Sequence, residues 1–427
     1  MADPFEIDVA AWLADDLHCA EEAATMADLR IRVGQCVATR VEDLRARATR
    51  ESIHVSAYPL ALWLATNWWR LRWEGSAYRV DHSDWKLSHM MSASGSGYVW
   101  PPLVMYGDGD GVHLDMKRST PSSESDLRFI ERFKAYVSGA DFEFGVADFV
   151  DRVLDRLNAV QLLDTDLHKV WHTIRAERAD TSLTWPRKLE ATLGFDPEAG
   201  DQDLVLSLVA VADRRGEGVA EELAAAAHDT AASLADRIGV LLSESGDTWR
   251  PPEGLALEPV QLGEDRPYEI GYRKAMELRN RLDLGSRPLA DVQVGELFGL
   301  EPALLEASGE PSPVGVSERN GSVNHLLLKS SGSIDRRFEI ARLAADRLFV
   351  SNDDDWSLAT RSHTARQQFQ RAFAAEFLCP VQGIKMFAGA NPSVDEVEGV
   401  AAEFRVSPFT VQRQMVNAGL LNPSTLG

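Results

Sequence analysis

The chain has 427 residues, with 44 lysines and arginines against 66 aspartates and glutamates, so its formal charge is −22. Its 44% hydrophobic and 26% charged residues are typical of a folded protein and exclude a wholly disordered acidic chain. The acidity argues against extended binding of a nucleic-acid backbone or an anionic membrane, because both require clustered basic side chains.

The cysteines and the N-terminal residues indicate the cellular compartment of the protein. Cys19, Cys36 and Cys379 lie far apart without a Cys-x-x-Cys pair, which predicts neither a disulfide framework nor a thiolate zinc site. Acidic residues stand where a signal peptide would have basic ones, and no apolar stretch reaches the ~20 residues of a membrane span. We therefore expect a cytoplasmic protein without a membrane span.

The first region, 1–165, is predicted to be a tryptophan-rich α+β domain of unknown function. Apolar residues at helical spacing predict a helix over 57–73, and two Asp-Gly steps within 107–111 predict a hairpin turn. The spacing of apolar residues predicts helix again over 125–163. The indoles favour a packed core, and a ligand pocket is the alternative interpretation for five of them: Trp63, Trp68, Trp69, Trp85 and Trp100.

The remainder is predicted to be mostly helical, so the whole chain is assigned to the α+β class with a helical majority. A helical domain is expected at 166–245, and a linker at 246–267, where glycine and proline accumulate. The last domain, 268–427, is predicted to contain strands near Val314 and at 325–329. Long helices are expected at 334–350 and 364–378, followed by a helical tail.

Two segments of the last domain show a family resemblance: 336–348 (RRFEIARLAADRL) and 370–380 (QRAFAAEFLCP). They resemble the ImmA/IrrE family of zinc metallopeptidase-like proteins, in which one helix has the motif HExxH and a later helix contains Ala-Ala-Glu before a proline. The resemblance extends over 267–421 and implies a zincin-like fold. It also suggests a setting in prokaryotic stress responses, mobile elements or phage defence, with a protein partner.

The residues needed for zinc chemistry are absent from the aligned positions. HExxH binds zinc through two histidines one helical turn apart, with the glutamate as general base. The aligned residues here are Arg342, Leu343 and Asp346, and only Glu376 matches the family's carboxylate ligand. The resemblance therefore implies a vacated metal site without a cofactor. We predict that Arg342 fills it by pairing with Glu376, with Asp346 as a second partner.

These observations favour a non-catalytic regulatory or scaffold protein that binds another protein. The alternative is an active metallopeptidase or hydrolase with a non-standard site. Such a site would use His325 and His363, or a Ser, His and Asp set in the first domain that includes His82, His89 and His113. A third hypothesis is DNA binding by the tail, where Ser407 and Pro408 predict a helix start, but the tail lacks a basic face.

Overall fold

The computed structural model describes the chain in twelve ranges: 3–13, 19–76, 83–119, 126–227, 230–244, 247–250, 257–301, 303–306, 312–321, 323–350, 354–388 and 392–422. Within them, the side chains of residues 83, 244 and 320 are not described. The structure is 54% helical and 18% strand, which confirms a mostly helical α+β protein. None of the helices in these ranges combines the length and the hydropathy that crossing a bilayer requires.

The chain divides into two compact units. Unit 1 comprises Met1–Leu206 and Gly263–Asp265, and unit 2 comprises Ser207–Leu262 and Arg266–Gly427. The helices predicted as one domain at 166–245 are therefore shared between the units. The division falls inside a single helix, Gln202–Arg215.

The described residues of unit 1 form three antiparallel sheets. Their strands are β1 (Phe5–Trp12), β2 (Met26–Val33), β3 (Cys36–Val37), β4 (Val41–Asp43), β5 (Ala48–Arg50), β6 (Ile53–Ser56), β7 (Leu103–Gly107), β8 (Gly111–Met116), β9 (Leu127–Phe129) and β10 (Phe133–Ser138). In the first sheet β2 pairs with β1, β3 and β6; the second has the order β10-β8-β7 and the third β5-β4-β9. The predicted hairpin at 107–111 is confirmed, since β7 and β8 pair across it.

The helices of unit 1 confirm part of the sequence prediction and correct another part. They are α1 (Ala20–Ala24), α2 (Ala57–Thr66), α3 (Trp68–Trp73), α4 (Ser83–His89), α5 (Gly139–Ala159), α6 (Asp166–Ala179) and α7 (Thr181–Thr192). The helix predicted over 57–73 is observed with a break at Asn67. The helix predicted over 125–163 is wrong in its first third, where β9 and β10 occur. Phe133, Ala135 and Val137 alternate along β10, which pairs with β8.

In the part of unit 2 that the structure describes, a helical majority accompanies one four-stranded antiparallel sheet of order β11-β13-β12-β14. Its strands are β11 (Asp247–Trp249), β12 (Gly315–Asn320), β13 (Val323–Leu327) and β14 (Trp356–Ala359). Its helices are α8 (Gln202–Arg215, shared with unit 1), α9 (Glu217–Ala227), α10 (Ala231–Glu244), α11 (Pro267–Arg281), α12 (Asp291–Phe298), α13 (Ala303–Glu306), α14 (Ser333–Phe349), α15 (Ala365–Leu378), α16 (Val381–Phe387), α17 (Val394–Phe404) and α18 (Pro408–Asn417).

Most of the predicted elements of 268–427 are observed, including both long helices as α14 and α15. The predicted linker is less simple than expected. It contains β11, which pairs with β13, and Leu257, Val260 and Leu262, which pack against the core of unit 2. Residues 251–256 of that segment lie outside the described ranges.

A glycine in α11 sets how closely α15 can approach. A Cβ added to Gly271 would lie 2.6 Å from the carbonyl oxygen of Phe369 and 2.9 Å from the Cβ of Ala372, both in α15. Such distances are far below van der Waals contact, and backbone atoms cannot move aside cheaply. Gly271 therefore permits the backbone approach that holds α15 in place.

We predict that Gly271→Ala lowers the free energy of unfolding of unit 2 by about 1 to 3 kcal/mol, because the added methyl group overpacks the α11 and α15 contact. The matched control is Gly239→Ala in α10, where no atom lies within 4 Å of the added Cβ. There the helix propensity of alanine should stabilise by about 0.5 to 1 kcal/mol. Urea unfolding of both variants measures the difference, and equal effects of the same sign would contradict the close approach.

Candidate functional site

The residues aligned with the family motifs lie on two neighbouring helices, α14 and α15, and buried polar side chains lie between these helices. The hydroxyl of Thr364 caps α15 by accepting a hydrogen bond from the backbone N–H of Gln367 at 3.2 Å. Polar and charged side chains face each other between α14, α15, β14 and α9. We call this set the polar cluster, and its members are Glu222, Arg342, Asp346, Asp354, Arg366, Gln367 and Gln370.

The strongest contact of the polar cluster is the pair of Asp346 and Arg366, whose residues are 1% and 8% exposed. The guanidinium donates from Nε to Oδ1 at 2.8 Å and from Nη2 to Oδ2 at 2.6 Å, so the pair is bidentate. Gln370 donates a third hydrogen bond to Oδ1 at 3.1 Å. Burial alone would raise the pKa of Asp346, but the charge and hydrogen bonds of Arg366 outweigh it and hold that pKa below its ordinary value.

Arg366 also connects this pair to α9. Its Nη1 donates to Oδ2 of Asp354 at 2.6 Å, and Oδ1 of Asp354 accepts from the backbone N–H of Gly218 at 3.2 Å. One guanidinium therefore bridges two buried carboxylates, and its own pKa is raised above the ordinary value, since their charges outweigh the effect of its burial. The arrangement fixes α9, α14 and α15 relative to each other within unit 2.

Glu222 enters the polar cluster from α9 and is only 3% exposed. Its carboxylate accepts hydrogen bonds from the hydroxyls of Thr364, Ser362 at 3.2 Å and Thr360 at 3.4 Å. Burial raises the pKa of Glu222, and the hydroxyl donors and the charge of Arg366 only partly offset this. Glu222 is thus the buried carboxyl of this cluster whose charged form is disfavoured.

Arg342 does not pair with Glu376, so the predicted ion pair is wrong. Its Nη2 instead donates to the carbonyl oxygen of Thr360 at 2.7 Å and to Oε1 of Gln367. Burial and the neighbouring charge of Arg371 lower the pKa of Arg342 to about 9, which leaves it cationic at neutral pH. The residue of α15 that faces position 342 is therefore the neutral Gln367.

Glu376 belongs to a different contact. Its Oε2 accepts from Nε2 of Gln414 in α18 at 2.8 Å and from the backbone N–H of Val381, the first residue of α16, at 3.1 Å. Position 376 is six residues beyond 370 and thus about 120° around the helix from the face that meets Asp346. Burial raises the pKa of Glu376, and its two hydrogen bonds and Arg279 offset part of this. Glu376 holds the end of α15 against α16 and α18.

The arrangement does not fit zinc at the aligned positions. Leu343 has no group that can accept a proton, so it provides no general base. It is 1% exposed and packs in the core of unit 2. Within the described ranges, no group of three His, Cys, Asp or Glu side chains is placed to hold a metal ion. His325 lies on β13 with Nδ1 3.7 Å from Glu318 of β12, and His363 is exposed before α15. These two histidines therefore do not form a relocated site.

The five tryptophans of unit 1 are buried, which agrees with the favoured interpretation of a packed core and not with the alternative of a ligand pocket. Trp63, Trp68, Trp69, Trp85 and Trp100 are between 1% and 8% exposed, and four of their indole N–H groups donate hydrogen bonds inside the unit. Trp68 packs edge-on against Trp171, with ring centroids 5.4 Å apart. The indole faces are occupied by neighbouring side chains, so the packed-core interpretation holds.

The Ser, His and Asp set of unit 1 is described only in part. Asp81, His82 and the side chain of Ser83 lie outside the described ranges. His89 is fully buried and stacks on Trp85 with ring centroids 4.2 Å apart; burial lowers the pKa of His89 to about 3. His113 lies on β8 with Nε2 2.9 Å from Oδ2 of Asp108 in the hairpin turn. His89 is thus a buried neutral residue of the core, and His113 holds the hairpin turn through Asp108. Both histidines have structural roles.

Four members of the polar cluster were not predicted from the sequence: Arg366, Gln367, Gln370 and Glu222. A signal was present, because Arg366 and Gln370 are one turn apart on a helix whose other buried residues are mostly apolar. Glu222 likewise stands between Val219, Ala220 and Leu223 on the buried face of α9. Polar residues on an apolar helix face indicate a buried polar partner.

We predict that Asp346→Ala lowers the free energy of unfolding of unit 2 by about 3 to 5 kcal/mol, because it removes the bidentate partner of a buried guanidinium. Arg342→Ala is the matched control, since it removes an arginine of the same cluster whose acceptors are uncharged, and should cost roughly 1 to 2 kcal/mol. The double variant Asp346→Ala with Arg366→Ala should cost less than the sum of its single changes. Additivity within about 0.5 kcal/mol in denaturant unfolding would contradict the coupling.

The raised pKa of Glu222 predicts a pH dependence. Below the unfolded pKa the carboxyl is protonated in both states. As the pH rises through the folded pKa, the buried group ionises at a cost that the unfolded chain does not have, so its contribution to stability is lost. The advantage of Glu222→Gln over the natural residue should therefore grow from pH 5 to pH 8.

Unfolding free energies at several pH values measure this advantage. Glu217→Gln is the control, an exposed acidic residue in the first turn of the same helix, which should show no such trend. An advantage of Glu222→Gln that is constant or shrinks as the pH rises would show that burial does not disfavour the charged carboxyl.

Comparison with known proteins gives no relative for the chain: no family model, no curated protein and no solved structure matches it. The ImmA/IrrE resemblance therefore rests on the two motif segments and their order alone.

Proposed function

We propose that this chain is a non-catalytic regulatory or scaffold protein, built in its C-terminal part on an ImmA/IrrE-like domain that has lost its zinc site. The supporting observation is that all three positions aligned with HExxH have structural contacts. Arg342 hydrogen-bonds to Thr360 and Gln367, Leu343 packs in the core, and Asp346 is bound by Arg366. None of these side chains is left to bind a metal or activate water.

The arrangement of α14 and α15 supports the ImmA/IrrE-like fold in this proposal. The resemblance places the motif on one helix and the later segment on a second helix that meets it. Ser333–Phe349 and Ala365–Leu378 are two such helices, and side chains of both take part in the polar cluster. The structure departs from the arrangement that the resemblance implies at Glu376, which does not face the motif. Gln367 faces the motif in its place.

A protein partner is the second part of the proposal. Four large apolar side chains on the closing helices are more than half exposed: Met386, Phe387, Val394 and Phe409, at 76%, 51%, 68% and 57%. The three helices that carry them, α16, α17 and α18, pack against each other. Large exposed apolar side chains that form a patch are typical of surfaces that bind proteins. The setting, a prokaryotic stress, mobile-element or phage-defence system, comes from the family resemblance.

We predict that the purified protein contains far less than one equivalent of zinc and does not cleave peptides, with or without added zinc. The physical reason is that an arginine and a buried leucine replace a ligand and the general base. Elemental analysis and a peptide-library cleavage assay measure both properties. About one zinc per chain, removable by a chelator together with a peptidase activity, would refute the non-catalytic proposal.

A second experiment separates the fold from the function. The triple substitution Arg342→His, Leu343→Glu and Asp346→His should bind zinc only weakly, because Gln367 opposite position 342 remains neutral. Adding Gln367→Glu supplies a carboxylate at that place and should tighten zinc binding. Circular dichroism tests whether both variants fold. Equal zinc affinity of the two folded variants would count against the ImmA/IrrE-like arrangement. That outcome would not bear on the proposed absence of activity in the natural chain.

A further inference from the structure

Unit 1 contains a cavity of about 410 Å³ beside the sheet formed by β5, β4 and β9. Its volume falls within the range of small-molecule sites. Three arginines contribute to the wall, together with a hydroxyl, an aromatic ring and a single carboxylate: Arg40, Arg118, Arg128, Ser119, Phe129 and Glu131. Such a basic wall is unexpected in a chain whose formal charge is −22.

One of the three arginines is already neutralised. Arg40 donates from Nη1 to Glu131 at 2.6 Å and from Nη2 to Glu51 at 2.7 Å. Glu51 also lies 2.5 Å from Arg30. The carboxylates at this end of the cavity are therefore engaged with Arg40 and Arg30, and they are not free to compensate the other two arginines of the wall.

Arg118 and Arg128 have no hydrogen-bond acceptor or ion-pair partner within the described ranges. Arg118 is exposed and Arg128 is half-buried, and the Nε of Arg128 is shielded from solvent without an acceptor. Glu42 stands opposite Arg128 in the register of β4 and β9, yet no hydrogen bond or ion pair joins them. A buried N–H without an acceptor costs free energy that a bound anion would recover.

Hydrogen bonds connect the two backbone segments that carry these arginines. The N–H of Ser119 donates to the carbonyl oxygen of Phe129 at 3.0 Å, and the N–H of Phe129 donates to the hydroxyl of Ser119 at 3.1 Å. Arg118 and Arg128 directly precede these two paired residues in the sequence. The distance between the Cα atoms of the two arginines is thus set by hydrogen-bonded backbone, which reduces the entropy lost when both side chains bind one ligand.

We propose that this cavity binds a small molecule with a phosphate group, held by Arg118 and Arg128. A guanidinium offers parallel N–H donors that match the oxygens of a phosphate, and two guanidiniums suit the double charge of a phosphate group better than the single charge of a carboxylate. The volume exceeds that of one phosphate and leaves space beside Phe129 for the rest of the molecule. This site lies in unit 1 and does not depend on the function proposed for the polar cluster.

Titration calorimetry with inorganic pyrophosphate at constant ionic strength tests the proposal. We expect saturable binding to the full chain, weakened roughly 10- to 100-fold by Arg118→Gln or Arg128→Gln, as for the loss of charged hydrogen bonds. Arg45→Gln is the matched control, because it removes one positive charge from an exposed residue of unit 1 that does not line the cavity. It should change the affinity less than about twofold, given the screening of exposed charges.

A conservative variant and a second anion also test the proposed site. Arg128→Lys retains the charge without the fork of donors and should bind with intermediate affinity, and it replaces Arg128→Gln if that variant fails to fold. Citrate, an anion with carboxylates only, should bind more weakly than pyrophosphate. The proposal is overturned if pyrophosphate does not bind at millimolar concentration, if Arg45→Gln weakens binding as much as Arg128→Gln, or if citrate binds as tightly.

Discussion

The ion pair of Asp346 and Arg366 joins α14 to α15 inside unit 2, and the neighbouring contacts are arranged around it. Arg366 also binds Asp354, which accepts the N–H of Gly218, so the same guanidinium reaches α9. Burying these charges is expensive unless each is matched by an opposite charge and hydrogen bonds. The polar cluster satisfies that condition for Asp346, and this fixes the relative positions of the helices.

The same charge balance determines what chemistry the site can perform. A metal centre needs ligands whose lone pairs are free, and a general base needs a carboxylate that can accept a proton. The oxygens of Asp346 are occupied by Arg366 and Gln370, and position 343 is a buried leucine. At positions 343 and 346, apolar packing and an ion pair therefore occupy the side chains that zinc chemistry would require.

Local sequence patterns predicted the elements whose stability is local. The helices at 333–349 and 365–378 follow from their apolar periodicity, and Ser407 and Pro408 begin α18 as their capping chemistry predicts. Strand β10 was predicted as helix because Phe129, Phe133 and Val137 also fit a helical spacing, and only pairing with β8 decides the matter.

The candidate site was predictable only in outline. Asp346 was predicted to be a second partner of Arg342, yet its cation is Arg366. Helical spacing places Arg342 and Asp346 on one face, but it does not fix which residues of α15 and α9 meet that face. That choice depends on the rotation of α15 about its axis, which is set by long-range contacts such as the approach of Gly271.

The most direct test of this account is the ionisation of Asp346 in the folded protein. Carbon-13 labelling of the aspartate carboxyls, with Asp346→Asn to assign the signal, allows its titration to be followed by NMR. The account predicts a pKa below the ordinary aspartate value, because Arg366 stabilises the charge, so the signal should titrate at lower pH than the signals of exposed aspartates in the same spectrum. A carboxyl that titrates at higher pH than the exposed aspartates would show that burial dominates and that the ion pair does not organise unit 2.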